Sequence, residues 1–320
     1  MSRLLGRVCS GLVTIFIVVT LAFMLLETLP GDPLGLMSDP SLSLADRQRL
    51  EAVYGLDQPP LERYKSFLSH ALRGDLGVSL RYHKPVSRVL ARALGPTLLL
   101  GASAIVIAFT LGLALGTAAG LRRGGTAAFF VDRVLPALDA LPPFWLGLIA
   151  IWLFAYKFGL LPASHMHDAN LASSGLWDLL EHLLLPALVI GLPGAAPVAR
   201  HHAAALSRTW RSEAIRSARA LGVPEKRLVL RAARAALHPI LVLFGLALPT
   251  TVGGVVVVEV VFSWPGIGRL QQQALLSRDL PLVLGGLLLA ASAIVTGTLI
   301  ADLLSALVDP RWRRTTGNFR

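Results

Sequence analysis

Long charge-free stretches of apolar residues constrain the fold of this chain more than any other feature of its sequence. A bilayer core of about 30 Å requires about 20 apolar residues in a helix, and a helix satisfies its own backbone polar groups in lipid. Six stretches qualify: Val8 to Leu26, Pro96 to Ala119, Val134 to Ala155, Leu183 to Ala199, Pro239 to Val258 and Leu280 to Leu304. The sequence therefore predicts an all-α, polytopic membrane protein with about six transmembrane helices.

The third and fourth stretches contain residues that interrupt helices. Asp139 and the pair Pro142–Pro143 lie inside the third, and Pro186, Pro193 and Pro197 divide the fourth, which is also short. Such breaks persist in membrane proteins where neighbouring helices or water bind the freed backbone groups. We therefore expect both stretches to span the membrane as interrupted helices.

The composition agrees with a membrane protein and argues against a nucleic-acid partner. Hydrophobic residues make up 54% of the 320 residues and charged residues 15%, against about 25% charged in a typical soluble domain. The formal net charge is +11, but the basic residues form no continuous patch with interleaved aromatic residues. The single cysteine, Cys9, lies in an apolar stretch, which excludes a disulfide framework and a thiolate metal site.

The distribution of lysine and arginine predicts the orientation of the spans. Basic residues are dense in Leu121 to Arg133, in Arg200 to Arg234 and in the tail after Asp309, and sparse in Tyr156 to His182 and Ser263 to Asp279. Because short loops rich in Lys and Arg stay in the cytoplasm, both termini are predicted to be cytoplasmic. The first span lacks an Ala-x-Ala cleavage pattern and is expected to be an uncleaved anchor.

The spans divide the chain into four parts. These are the N-terminal tail and first span (1–29), an extracytoplasmic loop (30–95), a five-helix core with a cytoplasmic loop at 207–238 (96–308), and a cytoplasmic tail (309–320). Within the extracytoplasmic loop, capping and proline signals predict two short helices, Leu44 to Val53 and Leu61 to Leu72.

Small residues mark one face of the second span. Gly112, Gly116 and Gly120 recur every four residues, and such a stripe allows another helix backbone to approach closely. The sequence does not specify the partner helix.

The loop between the fourth and fifth spans predicts a short helix with marked ends. Ser212 is a suitable N-cap, and Glu213 lies in the first turn, near the positive end of the helix dipole. Gly222 is expected to end the helix, and Pro224 to open the next helix as its first residue.

The same loop predicts a contact surface of small residues. Ala214, Ile215 and Ala218 recur at helical spacing and predict a face that fits a groove on another protein. Composition leaves a second interpretation open, in which this basic amphipathic segment lies on anionic lipid headgroups.

A resemblance to a known family favours the first interpretation. Residues Glu213 to Gly222 (E-A-I-R-S-A-R-A-L-G) resemble the EAA loop of the membrane subunits of binding-protein-dependent ABC importers, in the dipeptide, oligopeptide and nickel branch. Further motifs similar to that branch follow in the same order: PGDP at Pro30–Pro33, YGLDQP at Tyr54–Pro59, GDLGVS at Gly74–Ser79, LLP at Leu160–Pro162, VEVVFSWPGIG at Val258–Gly268, RD at Arg278–Asp279 and DPR at Asp309–Arg311. The chain departs from the branch at Glu213, Ala214, Leu221 and in Arg234 to Pro239.

The resemblance implies a type I ABC importer permease fold and an inner-membrane location. It implies that a coupling loop docks on an ATPase subunit, with these residues as its candidates: Glu213, Ala214, Ile215, Ala218, Arg219, Ala220 and Gly222. The implied partners are a second homologous permease subunit, two cytoplasmic ATP-binding subunits, an extracytoplasmic solute-binding protein and the bilayer. The implied solute is a peptide or a related small molecule, whose identity the sequence does not separate among dipeptides, oligopeptides, glutathione-like compounds and nickel chelates.

The chain carries no recognisable nucleotide, cofactor or catalytic site. No glycine is followed by lysine, so the phosphate-binding loop of nucleotide-binding proteins is absent and no cofactor is expected. A membrane-anchored enzyme would need a nucleophile with a placed base or metal. An ion-coupled secondary transporter, the alternative to an ABC permease, would place paired charges at the midplane or show an inverted repeat. Neither set of features is evident.

Two further groups of polar residues have open roles. Glu259, with Trp264, Pro265 and Gly266, is a candidate for the translocation path or an outer gate; the alternative is a structural role in which the carboxylate bonds nearby backbone amides. The pairs His165/His167 and His201/His202 lack the further ligands of a metal shell and are expected to be loop histidines.

Overall fold

Helices form almost all of the regular structure in the described part of the chain. The computed structural model describes residues 2–28, 57–122, 124–168, 175–253 and 255–308, and among these the only extended pairing is an isolated bridge between Val78 and Pro85. The predicted helix at Leu44 to Val53 and the tail 309–320 lie outside the described residues. The chain forms two compact units, a first unit of residues 1–96 and 265–295 and a second unit of residues 97–264 and 296–320.

Thirteen α-helices lie in the described part of the chain. They are α1 (Ser2–Thr28), α2 (Pro60–Ala71), α3 (Val86–Leu121), α4 (Thr126–Phe129), α5 (Leu135–Asp139), α6 (Pro143–Ala150), α7 (Leu176–Trp210), α8 (Glu213–Ala220), α9 (Glu225–Ala235), α10 (His238–Gly253), α11 (Val256–Val261), α12 (Ile267–Leu276) and α13 (Leu280–Val308). Wider π-helical turns follow α4 at Phe130–Val134 and α6 at Ile151–Lys157.

Four helices are long and apolar enough to cross a bilayer, namely α1, α3, α7 and α13. Two bent pairs raise this number to six if each pair is one span: Thr126–Asp139 with Pro143–Lys157, and Glu225–Ala235 with Pro239–Ala247. The fold is therefore the predicted all-α membrane fold with four to six spans.

Proline acts differently in the third and fourth predicted spans. At Pro142–Pro143 the chain bends by 104°, because Pro142 has extended backbone (ψ 135°), as expected for a residue that precedes proline. Leu176–Trp210, in contrast, is one helix of 35 residues that contains Pro186, Pro193 and Pro197. The prediction of an interrupted fourth span was therefore wrong, since close packing of α7 supports a helix that lacks three backbone donors.

The first unit is organised around a cluster of apolar residues from α3, α12 and α13. Its buried members are Val86, Leu90, Ala93, Ile267, Leu270, Ala274, Leu282 and Val283. The helix α2 confirms the prediction at Leu61 to Leu72 within one residue, and its Tyr64 hydroxyl lies 2.5 Å from the Thr20 hydroxyl of α1. Arg63 adds an ion pair to Glu27 at 2.5 Å.

In the second unit the glycine stripe of α3 packs against α7. A Cβ atom added at Gly112 would lie 2.7 Å from Val198, and one added at Gly116 would lie 2.7 Å from the Ala199 carbonyl oxygen. At Gly120 the corresponding distance to the Ala203 carbonyl oxygen is 2.9 Å. All three distances are shorter than side chains tolerate, so the close approach predicted for this stripe is confirmed and α7 is identified as the partner.

Candidate functional site

The segment that carries α8 and α9 has the turn that its sequence predicts. Gly222 has a φ of +77°, which glycine adopts without strain. Its N–H donates to the Arg219 carbonyl at 3.0 Å, and the Val223 N–H donates to the Ala218 carbonyl at 3.1 Å. These two bonds form a Schellman motif, which fixes the direction in which the chain leaves α8.

The other predicted ends of these helices need small corrections. Ser212 has extended backbone at the N-cap position of α8, but its side chain makes no capping hydrogen bond. Pro224 precedes α9 as its N-cap residue, and Glu225 is the first helical residue. Pro224 lacks the helical backbone of a first residue because its ψ is 138°.

The inner face of α8 packs on the ends of two long helices. Ile215 is buried with Leu206 of α7 and Leu228 of α9, and Leu121 at the end of α3 packs against the same residues. Other members of this group are Ala205, Trp210, Ala218, Val223, Ala232, Ala233 and Ala236. We call these residues the anchor cluster. It connects α8 to α3 and α7 through closely packed apolar side chains.

The outer face of α8 differs from the predicted contact surface. Ile215 and Ala218 point into the anchor cluster, whereas Ala214 and Ala220 are exposed. Ile215 is the largest apolar side chain of α8, so burial against the chain's own core outweighs its exposure to a partner. At the end of α8, Leu221 is 84% exposed.

Charged side chains frame this outer face. Arg219 stacks over the Trp210 ring, with its guanidinium carbon 4.9 Å from the ring centroid, and Glu213 pairs with Arg216 one turn later. Exposed basic residues continue along α9 with Lys226, Arg227, Arg231 and Arg234. The outer face is therefore a short ridge of two small apolar residues, Ala214 and Ala220, and one large one, Leu221, with charged side chains of both signs beside it.

Glu259 is buried inside the second unit. The Thr97 hydroxyl of α3 donates to its Oε1 atom at 2.6 Å, and Trp264 and Phe262, both fully buried, lie in the apolar cluster of this unit. Pro265 and Gly266 belong to the first unit, where they line a cavity of about 550 Å³ with Lys84, Arg92 and Arg269. The four residues proposed for a path or gate therefore fall into two different environments.

A carboxylate that the site prediction did not include organises the first unit. Asp279 is fully buried and accepts from the Ser79 hydroxyl, from the Arg81 N–H at 3.1 Å and from the Leu282 N–H at 3.2 Å. Ser79 and Asp279 end two of the motifs on which the family resemblance rests. The order of those motifs in the chain gave no sign that they meet in space.

The histidines occupy two kinds of position. His165 and His167 lie in an irregular segment, as predicted, and His167 hydrogen-bonds Asp178 at 2.8 Å beside a cavity of about 690 Å³. His201 and His202 lie within α7 rather than in a loop, so that prediction was wrong. Within the described residues, no group of three or more His, Cys, Asp or Glu side chains is arranged to hold a metal ion.

Comparisons with known proteins agree with these features. Residues 108–314 match the family model described as "Binding-protein-dependent transport system inner membrane component". The chain is 34% identical to the oligopeptide transport system permease protein AppB of Bacillus subtilis, over 91% of this chain and 92% of that protein. It is 35% identical to the di/tripeptide transport system permease protein DppB of Pseudomonas aeruginosa, over 94% and 95%. It is also 34% identical to the glutathione transport system permease protein GsiC of Escherichia coli, over 97% of both chains.

Proposed function

The chain belongs to the family of inner-membrane components of binding-protein-dependent transport systems, and on that premise we propose that α8 couples solute import to ATP hydrolysis in another chain. The protein is a multi-pass permease subunit of an ABC importer and thus a transport component.

The attachment of α8 carries the proposal. Ile215 fixes the helix to the anchor cluster, which includes Leu206 of α7 and Leu121 of α3. The Schellman turn at Gly222 fixes the orientation of α9 relative to α8. A force on the outer face of α8 therefore reaches two long helices through close-packed side chains, which transmit strain well.

The composition of the outer face of α8 suits a protein–protein contact. Ala214, Ala220 and the exposed Leu221 offer apolar area with little side-chain entropy to lose, since alanine has no rotamers to fix. We propose that this ridge enters a cleft of a cytoplasmic ATP-binding subunit, and that Arg219, held by Trp210, sets its angle. Ile215, Ala218 and Gly222 support the ridge from behind, and Glu213 fixes Arg216 beside it.

The remaining partners follow from the same assignment. We propose a complex with a second homologous permease subunit, two ATP-binding subunits and an extracytoplasmic solute-binding protein. Both termini and the α8–α9 segment are cytoplasmic in this arrangement, as the positive-inside rule requires for segments this basic. The relatives named as oligopeptide and di/tripeptide permeases make a peptide the first solute to test.

A backbone substitution tests the coupling assignment. Gly222→Pro removes the N–H that donates to Arg219 and forbids a φ of +77°, so the purified importer should hydrolyse ATP while its peptide uptake into proteoliposomes falls at least tenfold. Gly222→Asn is the matched control, because asparagine tolerates the left-handed region and should retain uptake. Normal uptake by Gly222→Pro would refute docking through α8. Uptake driven by an ion gradient without ATP would indicate a secondary transporter.

A further inference from the structure

One buried histidine connects the glycine stripe to the anchor cluster. His202 of α7 is 1% exposed, and its Nε2 atom hydrogen-bonds the Thr117 hydroxyl of α3 at 3.0 Å. Thr117 is the next residue after Gly116 of the stripe, where an added Cβ atom would lie 2.7 Å from the Ala199 carbonyl oxygen of α7. The bond therefore lies in the close contact between α3 and α7.

Close packing sets the distance between the two helices and part of their register. Gly112, Gly116 and Gly120 let α7 approach closely, and the Val198 and Leu206 side chains of α7 lie against Gly112 and Gly120. A directional bond between Thr117 and His202 selects one register. No other side-chain hydrogen bond between α3 and α7 is found among the described residues.

The second ring nitrogen of His202 points to a second partner. Within the described residues, Nδ1 is buried and makes no hydrogen bond of good geometry, which is uncommon and costly for a polar atom in a folded protein. The backbone of Ala236, at the end of α9, already interacts with the imidazole as a hydrogen-bonding group, and Ala236 belongs to the anchor cluster. The ring of His202 therefore lies between Thr117 of α3 and the end of α9, and the contact with Ala236 is the less well aligned of the two.

We propose that His202 is a positioning residue that transmits movement of the α8–α9 segment to α3. Its Nε2 atom ties α7 to α3 through Thr117, and the ring also faces the Ala236 backbone of α9. When the ATPase moves α8, α9 shifts with it, the contact between Ala236 and the imidazole changes, and the ring carries the movement to Thr117. The inference rests on the proposed coupling role of α8.

Three substitutions in the full importer test this proposal. His202→Leu removes both ring nitrogens, and Thr117→Val removes the hydroxyl at nearly constant volume. The matched control is His201→Leu, because His201 is the adjacent residue, is exposed, and bonds only the Pro197 carbonyl of its own helix among the contacts described. For each variant, the number of ATP molecules hydrolysed per peptide imported is measured in proteoliposomes, together with subunit composition and thermal stability.

We expect His202→Leu and Thr117→Val each to raise the ATP consumed per peptide about fivefold, the effect of losing one hydrogen bond, with ATP hydrolysis itself retained. His201→Leu should match the unmodified importer. The double variant should be no worse than His202→Leu, because both changes break the same bond.

The outcomes separate this inference from the function on which it rests. If the unmodified importer shows no ATP-dependent uptake, the proposed function fails. If it imports normally and both Thr117→Val and His202→Leu import at unchanged ATP cost, only the role of His202 is overturned. Should His202→Leu fail to assemble, Thr117→Val decides alone, because an unchanged ATP cost in that variant contradicts the proposal.

Discussion

At the scale of single residues, the buried carboxylates are held by hydroxyl groups of distant helices or turns. Asp279 accepts from Ser79 in the first unit, and Glu259 accepts from Thr97 in the second. Each pair joins residues more than 150 positions apart in the chain. A buried carboxylate is costly unless it is hydrogen-bonded, so each unit depends on the donors that surround its carboxylate.

Asp279 should be essential for the stability of the first unit. Asp279→Ala removes the acceptor for Ser79, Arg81 and Leu282, and the loss should cost about 3 kcal/mol because buried donors remain unpaired. The melting temperature of the detergent-solubilised protein measures the effect. Asp57→Ala, at an exposed position, is the control and should change stability by less than about 0.5 kcal/mol. Equal melting temperatures for the two variants would contradict this assignment.

A substitution of Glu259 distinguishes a structural role of this residue from a role in transport. Glu259→Gln keeps an acceptor oxygen for Thr97 and should therefore preserve assembly. We expect peptide uptake to be retained as well, because the carboxylate is fully buried. Uptake assays with the assembled importer test this, and Thr97→Val provides the control that breaks the same bond from the other side. If Glu259→Gln assembles but does not import, Glu259 belongs to the translocation path.

At the scale of helices, the local sequence predicted the positions of the spans but not whether proline bends them. Hydropathy located α1, α3, α7 and α13, because about 20 apolar residues suffice for a span whatever surrounds it. Both segments contain proline, yet only Pro142–Pro143, where one proline directly precedes another, bends the chain. The isolated prolines of α7 stay within one helix because neighbouring helices pack around it, and a sequence pattern does not contain those neighbours.

The same limit applies to α8. Gly222 and Pro224 set its end and the turn that follows, because left-handed backbone and proline act locally. The direction of Ile215 depends on Leu206 and Leu228, which come from α7 and α9. The sequence therefore predicted the helix and its turn correctly but assigned Ile215 and Ala218 to the wrong face.

The glycine stripe gives a prediction at this scale. Gly116→Ala places a methyl group about 2.7 Å from the Ala199 carbonyl oxygen, and the overpacking should cost about 1–3 kcal/mol. Gly95→Ala, in the same helix α3, meets nothing within 4 Å and should be neutral or slightly stabilising, since alanine favours helix. Thermal unfolding in detergent compares the two variants. A stable Gly116→Ala protein would mean that α3 and α7 are able to separate without loss.

At the scale of the whole molecule, orientation in the membrane remains a prediction from charge. Exposed arginines and lysines concentrate in α9, whereas α2 mixes both signs of charge. The positive-inside rule places α8 and α9 in the cytoplasm. Residues 30–95 are long enough to weigh little in that rule, so the sign of charge in α2 does not alter the assignment.

Cysteine labelling tests the orientation directly, because Cys9 is the single native cysteine. In a Cys9→Ser background, Ser217→Cys on α8 should react with a membrane-impermeant maleimide only in inverted vesicles. Ser69→Cys on α2 should react in intact cells. Both positions are exposed, so differences in reactivity report the side of the membrane. The reverse pattern would invert the topology and remove α8 from the reach of a cytoplasmic ATPase.

The partnership between α3 and α7 also has a consequence for how the protein is made. The ribosome releases α3 long before α7. The helix α7 contains three prolines, and most residues of its most apolar segment are buried. Until α7 arrives, the stripe faces lipid or the insertion machinery, because the helix that packs against it in this fold is α7. Substitutions of the stripe glycines should therefore first increase the degradation of partly inserted chains and lower the yield of protein. The transport rate of importers that do assemble should change less.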